Sequence, residues 1–246
     1  MPGSLAVAVD GAVATLTLSN PGKKNALDPA LLDAIVDASR SLPAEGVRAL
    51  VLTAEGSLFS SGYDLDELGA GATAAPLERT VRALLLGSLP IVCALPGLAI
   101  GGGCELACAC DLRVAHPGVA LQMPPVRLGI VYPAEGLRRF VALIGASRTR
   151  ELFLTAERID AERALRWGLV DHVVAPDAVL PTALELARAM AKGTPGAIRG
   201  TRQLLARLSA PLPADIQREL DELVNRAFAG DEAKAARQAF RDRKLR

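Results

Sequence analysis

Glu105 is the one charged side chain between residues 95 and 110, and three consecutive glycines lie just ahead of it. From residue 95 to residue 111 the chain reads L-P-G-L-A-I-G-G-G-C-E-L-A-C-A-C-D. Gly101, Gly102 and Gly103 cost backbone entropy and pack nothing, so the run needs a reason. Close approach of the backbone to a bound group, with N–H donors at the start of a helix, supplies one. Such donors stabilise negative charge as it develops on an oxygen. Glu105 then reads in two ways: as an acid that does chemistry or orients substrate beside an oxyanion hole, or as a cap on the amides of a tight strand–helix joint. The residues alone leave both open. A second chemistry-bearing stretch is F-S-S-G-Y-D-L at 59–65, read as a loop with Gly62 at a tight turn. Ser60 or Ser61 as a nucleophile would need a histidine, and neither His116 nor His172 has an obvious partnering role.

Elements that would position these residues follow from pattern and punctuation. Residues 91–95 form a short buried strand before the glycines, and 104–109 open a short apolar helix behind them. At the N-terminus, two alternating runs, 5–9 and 13–18, flank Asp10-Gly11 and predict a β-hairpin. Residues 20–24 are a polar loop. Asp28 caps a helix with Pro29 at its first position and Leu31, Leu32, Ile35 and Val36 on its apolar face. Residues 49–53 and 112–115 are further buried strands, the latter ending in a His-Pro-Gly turn. Residues 69–76 are Gly- and Ala-rich and are expected to be mobile, and 77–86 have a helical pattern. Alternating strands and helices indicate an α/β core. Beyond Gly129 the pattern is almost wholly helical. Ser147 is expected to cap one helix, and Asp160 another that ends at Gly168. Pro181 falls in the first turn of the next, and Pro195, Pro213 and Asp231 precede three more. The expected division is a core at 1–192 and a helical region at 193–246, whose charged last helix carries Phe240.

Bulk properties exclude several classes. The 246 residues are 50% hydrophobic, enough for a large core, and the formal net charge is +1. Nothing there suggests a nucleic-acid stripe or an anionic-membrane surface. With aromatics at 3%, base-stacking platforms are unexpected. Asp10 falls too early for a signal peptide, no apolar run is long enough for a bilayer, and a cytoplasmic protein is expected. Cys93, Cys104, Cys108 and Cys110 match no zinc spacing, so no metal is expected. A disulfide framework is unexpected in a chain with this much core.

Five motifs occur in order: N-A-L at 25–27, F-S-S-G-Y-D-L, G-G-G-C-E-L at 101–106, P-x-x-x-L-G at 124–129, and A-x-x-W-G-L-V at 164–170. Together they resemble the crotonase superfamily, the enoyl-CoA hydratases and isomerases, over nearly the whole chain. The resemblance implies an α/β spiral of ββα units with a helical C-terminal oligomerisation region, assembled as a homotrimer or hexamer. It implies an acyl-CoA substrate and a thioester enolate held by two backbone amides, those of Tyr63 and Gly102. Coenzyme A would be part of the substrate, with no separate cofactor. The implied substrate-binding residues are Lys24, Ala26, Ser61, Gly62, Asp64, Gly101 and Pro125, with Phe240 and Arg243 completing a CoA site.

The departure from the family pattern carries the mechanism. Family hydratases have one glutamate where Glu105 stands and a second where Pro125 stands, and the two hold the water that adds to the alkene. A proline can do neither job. M-P-P-V-R-L-G-I-V-Y at 123–132 resembles the methylmalonyl-CoA decarboxylases of the superfamily, which have proline there and a tyrosine where Tyr132 falls. That subgroup has histidine where Tyr63 stands and threonine where Pro124 stands. Glu105 and Tyr132 are therefore the expected catalytic pair, with isomerisation, one-glutamate hydration or decarboxylation as the chemistry. The plain structural reading of Tyr132 is a partly buried ring with a satisfied hydroxyl. A largely non-catalytic acyl-CoA-binding protein is the alternative of another class.

Overall fold

A computed structural model describes residues 2–64 and 75–208. The hairpin forms as expected: β1 (Ser4–Asp10) pairs antiparallel with β2 (Val13–Ser19). From there the chain repeats one unit. A strand enters a large sheet, the next enters a small one, and a helix returns the chain. The first unit is β3 (Ala49–Ala54), β4 (Leu58–Ser60) and α2 (Ala75–Leu86); α1 (Pro29–Ser41) precedes it. The second is β5 (Ile91–Ala94), β6 (Leu98–Ile100) and α3 (Gly102–Cys108). The third is β7 (Leu112–Ala115) and β8 (Ala120–Gln122), followed by a 3-10 turn at Pro125–Leu128 and then α4 (Ala134–Thr155). The large sheet runs β1-β2-β3-β5-β7-β10 and the small one β4-β6-β8-β9. Here β9 is Ile159–Asp160 and β10 is His172–Val173. This is the spiral of ββα units.

Both faces of the large sheet are covered, which is why β3 is buried at all six positions. Leu50 and Leu52 face a core built with Leu16, Leu18 and α1's Leu31, Leu32 and Ile35. Ala49 and Val51 face the other side. There Val13, Val92, Ala94 and Val114 meet Val179, Ala183 and Ala187 of α6 (Val179–Ala191). Asp28 caps α1 as its sequence requires, its Oδ1 accepting from the Leu31 amide at 2.8 Å. Asp160 caps α5 (Ala161–Trp167), which ends on Gly168 with φ +87°. After α6, α7 (Pro195–Arg207) is fastened by Arg202. Its guanidinium binds Asp111 at 2.8 Å and the carbonyls of Gly87 (2.6 Å) and Leu84 (2.9 Å).

Three expectations need correction. Residues 58–60 are a strand rather than loop, and β9 and β10 interrupt the helical stretch beyond Gly129. The helix break expected at Ser147 falls instead at Gly145, whose φ of +77° and ψ of +162° interrupt α4. Thr149 Oγ1 donates to the Gly145 carbonyl across the break. The expectations for residues 65–74, for the helices after Pro213 and Asp231, and for Phe240 and Arg243 lie outside the described residues.

Candidate active site

The two glycine turns meet. β4 and β6 are parallel neighbours in the small sheet, so the segments leaving their C-terminal ends emerge side by side. Gly62 has φ +104°, and a Cβ there would stand 2.8 Å from the Ile100 carbonyl oxygen and 3.5 Å from Gly102 N. A Cβ on Gly102 would stand 3.1 Å from Tyr63 N and 2.9 Å from Leu77 Cδ2. Only backbone fits on either side of that gap. Gly103 lets α3 close on β4, because a Cβ would be 2.6 Å from Ser60 Cβ. Ser60 Oγ accepts from Gly62 N at 3.1 Å, which ties the first turn. Gly101 N donates to the Gln122 carbonyl at 2.8 Å, which ties the second to β8. Gly102 is the first residue of α3, where the helix itself offers its N–H no acceptor.

The loop after β2 joins the first turn. Leu27 and Tyr63 pair as an isolated bridge, with Leu27 N donating to the Gly62 carbonyl (2.8 Å) and Asp64 N to the Leu27 carbonyl (3.1 Å). Ser61 N donates to the Lys24 carbonyl at 3.0 Å, and its hydroxyl to the Lys23 carbonyl at 3.1 Å. Lys24 and Asn25 both adopt left-handed backbone. The Asn25 amide holds that bend by donating to the carbonyls of Glu55 and Leu58, each at 2.9 Å. Lys24 is exposed and Ala26 is buried. Asp64 is buried and ion-paired with Lys23 at 2.7 Å. Lys24, Ala26, Ser61, Gly62, Tyr63 and Asp64 are therefore one continuous rim, joined through the Gly62–Gly102 gap to Gly101.

Glu105 lies one turn into α3 and is 3% exposed. It caps no amide. Its Oε2 accepts from the Tyr132 hydroxyl and its Oε1 from Arg139 Nη2 at 2.7 Å. Tyr132 precedes α4, and its ring meets Phe153 edge-on at 5.2 Å. Burial, and next the negative charge of Glu105 and its hydrogen bond, hold the Tyr132 hydroxyl well above the ordinary phenol value. Its proton therefore stays on oxygen, and Tyr132 is the donor in the pair. Gly136 makes the contact possible: a Cβ there would stand 2.6 Å from Tyr132 Cε1 and 3.0 Å from Glu105 Oε1. Pro125 is buried at the start of its 3-10 turn, and its carbonyl accepts from Ile130 N. It brings neither donor nor carboxylate.

Arg139 and Gly136 are the residues that sequence reasoning missed. Their spacing of three puts them on one face of α4. Arg138 sits beside Arg139, however, and only the packing turns one outward to Glu135 and the other inward to Glu105. His116 is engaged by the Pro96 carbonyl and the Gly118 amide, and His172 is exposed in β10, so neither histidine serves Ser60 or Ser61. The four cysteines are buried free thiols. Among the described residues, no helix is long and apolar enough to cross a membrane.

Comparison with known proteins agrees along the chain. The sequence pattern of the enoyl-CoA hydratase/isomerase family matches residues 8–245. The 2,3-dehydroadipyl-CoA hydratase of Escherichia coli K12 is 35% identical over 199 residues, covering 78% of each chain. The short-chain-enoyl-CoA hydratase of Clostridium acetobutylicum is 31% identical over 242 residues, 94% of this chain and 92% of that one. Among solved structures, an enoyl-CoA hydratase from Bacillus anthracis superposes with a TM-score of 0.86 at 28% identity, covering 97% of this chain and 96% of that one.

Proposed function

The chain belongs to the enoyl-CoA hydratase/isomerase family, and on that premise we propose that it forms a thioester enolate served by one carboxylate, Glu105, and one phenol, Tyr132. The thioester oxygen sits between the amides of Tyr63 and Gly102, a reading supported by glycine turns that approach too closely for a side chain. Two fixed donors lower the energy of the enolate relative to the neutral thioester. The rim from Lys24 to Ala26 and from Ser61 to Asp64 lines the way in for the CoA moiety. No separate cofactor takes part.

The observation that carries this reading is the hydrogen bond from Tyr132 to Glu105, with a proline at the second glutamate position. Hydration by two carboxylates needs one to activate water and one to supply the α-proton. Glu105 has both oxygens engaged and no carboxylate partner at Pro125. A one-base shuttle by Glu105 supports isomerisation.

Decarboxylation is the second reading, favoured by Arg139. The carboxylate behind the glycine turns, Glu105, is paired with a guanidinium at 2.7 Å, which offsets its repulsion of a substrate carboxylate. Loss of carbon dioxide leaves its bonding electron pair on the α-carbon as the enolate, and the Tyr132 hydroxyl is a donor held in its protonated form. Incubation with enoyl-, 3-hydroxyacyl- and malonyl-type CoA esters, read by mass, tests these readings. Conversion of an enoyl or malonyl-type ester without net hydration is the expected result. Fast hydration of crotonyl-CoA that is lost in Glu105→Gln and untouched in Tyr132→Phe would refute the one-carboxylate scheme. Tight binding of every ester with no conversion would instead favour a non-catalytic acyl-CoA-binding protein. A homotrimer or hexamer is the assembly we expect, and light scattering at micromolar concentration checks it.

A further inference from the structure

We infer that Arg139 is the positioning residue of this site, acting on the chemistry solely through Glu105. The inference rests on the one-carboxylate reading above and adds to it the group that sets the carboxylate's orientation. Arg139 projects from α4, one turn beyond Gly136, and its side chain is 15% exposed. Nη2 binds Glu105 Oε1 at 2.7 Å, while Nε is buried with no hydrogen-bond partner among the described residues. An orphaned buried N–H costs free energy, here as at Arg113, whose Nε is likewise unmet beside its pair with Asp171. A buried ion pair is itself weak evidence for stability, because desolvation offsets its attraction. What singles out Arg139 is its partner, a buried glutamate that also accepts from the Tyr132 hydroxyl.

What Arg139 accomplishes follows from the geometry. Glu105 is held at two oxygens by groups from one short stretch, Tyr132 ahead of α4 and Arg139 within it. With Oε1 fixed by the guanidinium, the carboxylate cannot rotate, and Oε2 is the oxygen presented to the Tyr132 hydroxyl. Among the described elements packed against Glu105's helix, the other titratable groups are Cys104 and Cys108 on α3 itself and the exposed Glu78, Arg79 and Arg82 on α2. Cys104 and Cys108 are buried free thiols. β4 and β6, which pack against α3, carry no titratable side chain. Arg79 of α2 pairs with Asp33.

A double-mutant cycle on the full-length protein tests this. Arg139→Gln should lower kcat about 100-fold, the loss expected of a misplacement near 1 Å, with KM changed less than twofold. Arg139→Lys should recover part of kcat. In a Glu105→Gln background, Arg139→Gln should cost nothing further, because the group it positions is gone. Thermal melting gives a second cycle that needs no turnover. Arg139→Gln should lower Tm by stranding a buried carboxylate, and Glu105→Gln added to it should recover most of the loss. Independent, multiplicative losses in kcat, or a rise in KM with kcat unchanged, would overturn the assignment. So would melting temperatures that add without coupling. If the wild-type protein turns over no CoA ester, the one-carboxylate catalytic reading fails, and the melting cycle still decides whether Arg139 holds Glu105.

Discussion

Gly136→Ala puts a methyl group where the structure has room for none. The new Cβ would lie 2.6 Å from Tyr132 Cε1, 2.9 Å from Cδ1 and 3.0 Å from Glu105 Oε1. Carbon atoms in contact prefer ~3.5–4.0 Å, so the ring must retreat by roughly 1 Å. Its hydroxyl is then drawn from Glu105 Oε2, and a displacement of that size is worth about 100-fold in rate. Stability should fall less than activity. Overpacking costs about 1–3 kcal/mol, while exchanging glycine for alanine inside a helix returns about 1 kcal/mol. The net loss of about 0–2 kcal/mol leaves the variant folded. The assay is turnover of whichever CoA ester the wild-type protein converts, alongside thermal melting. A sign change supplies the control. In Tyr132→Ala the two ring contacts are gone and only the 3.0 Å approach to Glu105 Oε1 remains, so the helix gain of about 1 kcal/mol outweighs it and adding Gly136→Ala should raise Tm rather than lower it. Full turnover together with raised stability for Gly136→Ala in the wild-type background would refute both the contact and the role given to Tyr132.

Gly102→Pro removes one of the two amides facing the gap, and loss of a single oxyanion donor, worth ~3 kcal/mol, should cost about 100-fold in kcat; unchanged turnover in a folded variant would remove Gly102 from the site. Tyr132 should stay protonated through pH 10, because burial and Glu105 raise its folded value above the unfolded 10.0. Its contribution to stability is thus complete below pH 10 and is lost as pH rises through the folded value. The protein has two tyrosines, so the difference in phenolate absorbance between wild type and Tyr132→Phe isolates this group, and ionisation near neutral pH would contradict the environment described. Arg202→Leu strands two carbonyls and Asp111 behind α7 and should cost about 3 kcal/mol, read by urea unfolding; a change under 1 kcal/mol would show that α7 is held otherwise.

Residues with local meaning were legible before any fold was known. Asp10-Gly11 between alternating runs dictates a hairpin whatever surrounds it, because the turn and the strand period are local properties. Asp28-Pro29 starts a helix for the same reason, and three glycines before a lone glutamate demand a backbone purpose. The family motifs likewise named Tyr63, Gly102 and Glu105 as a set. The small sheet was not legible. β4, β6, β8 and β9 are two or three residues long, too short for an alternation to register, and they exist because neighbouring strands complete their hydrogen bonds. That same sheet sets Gly62 beside Gly102. The clamp on Glu105 was hidden for a related reason. Arg138 and Arg139 are equivalent by composition and adjacent in the chain, and a helix gains little from either alone. Which one turns inward is decided by how α4 lies on α3, a long-range packing that puts a buried carboxylate within reach of one guanidinium and leaves the other to the surface.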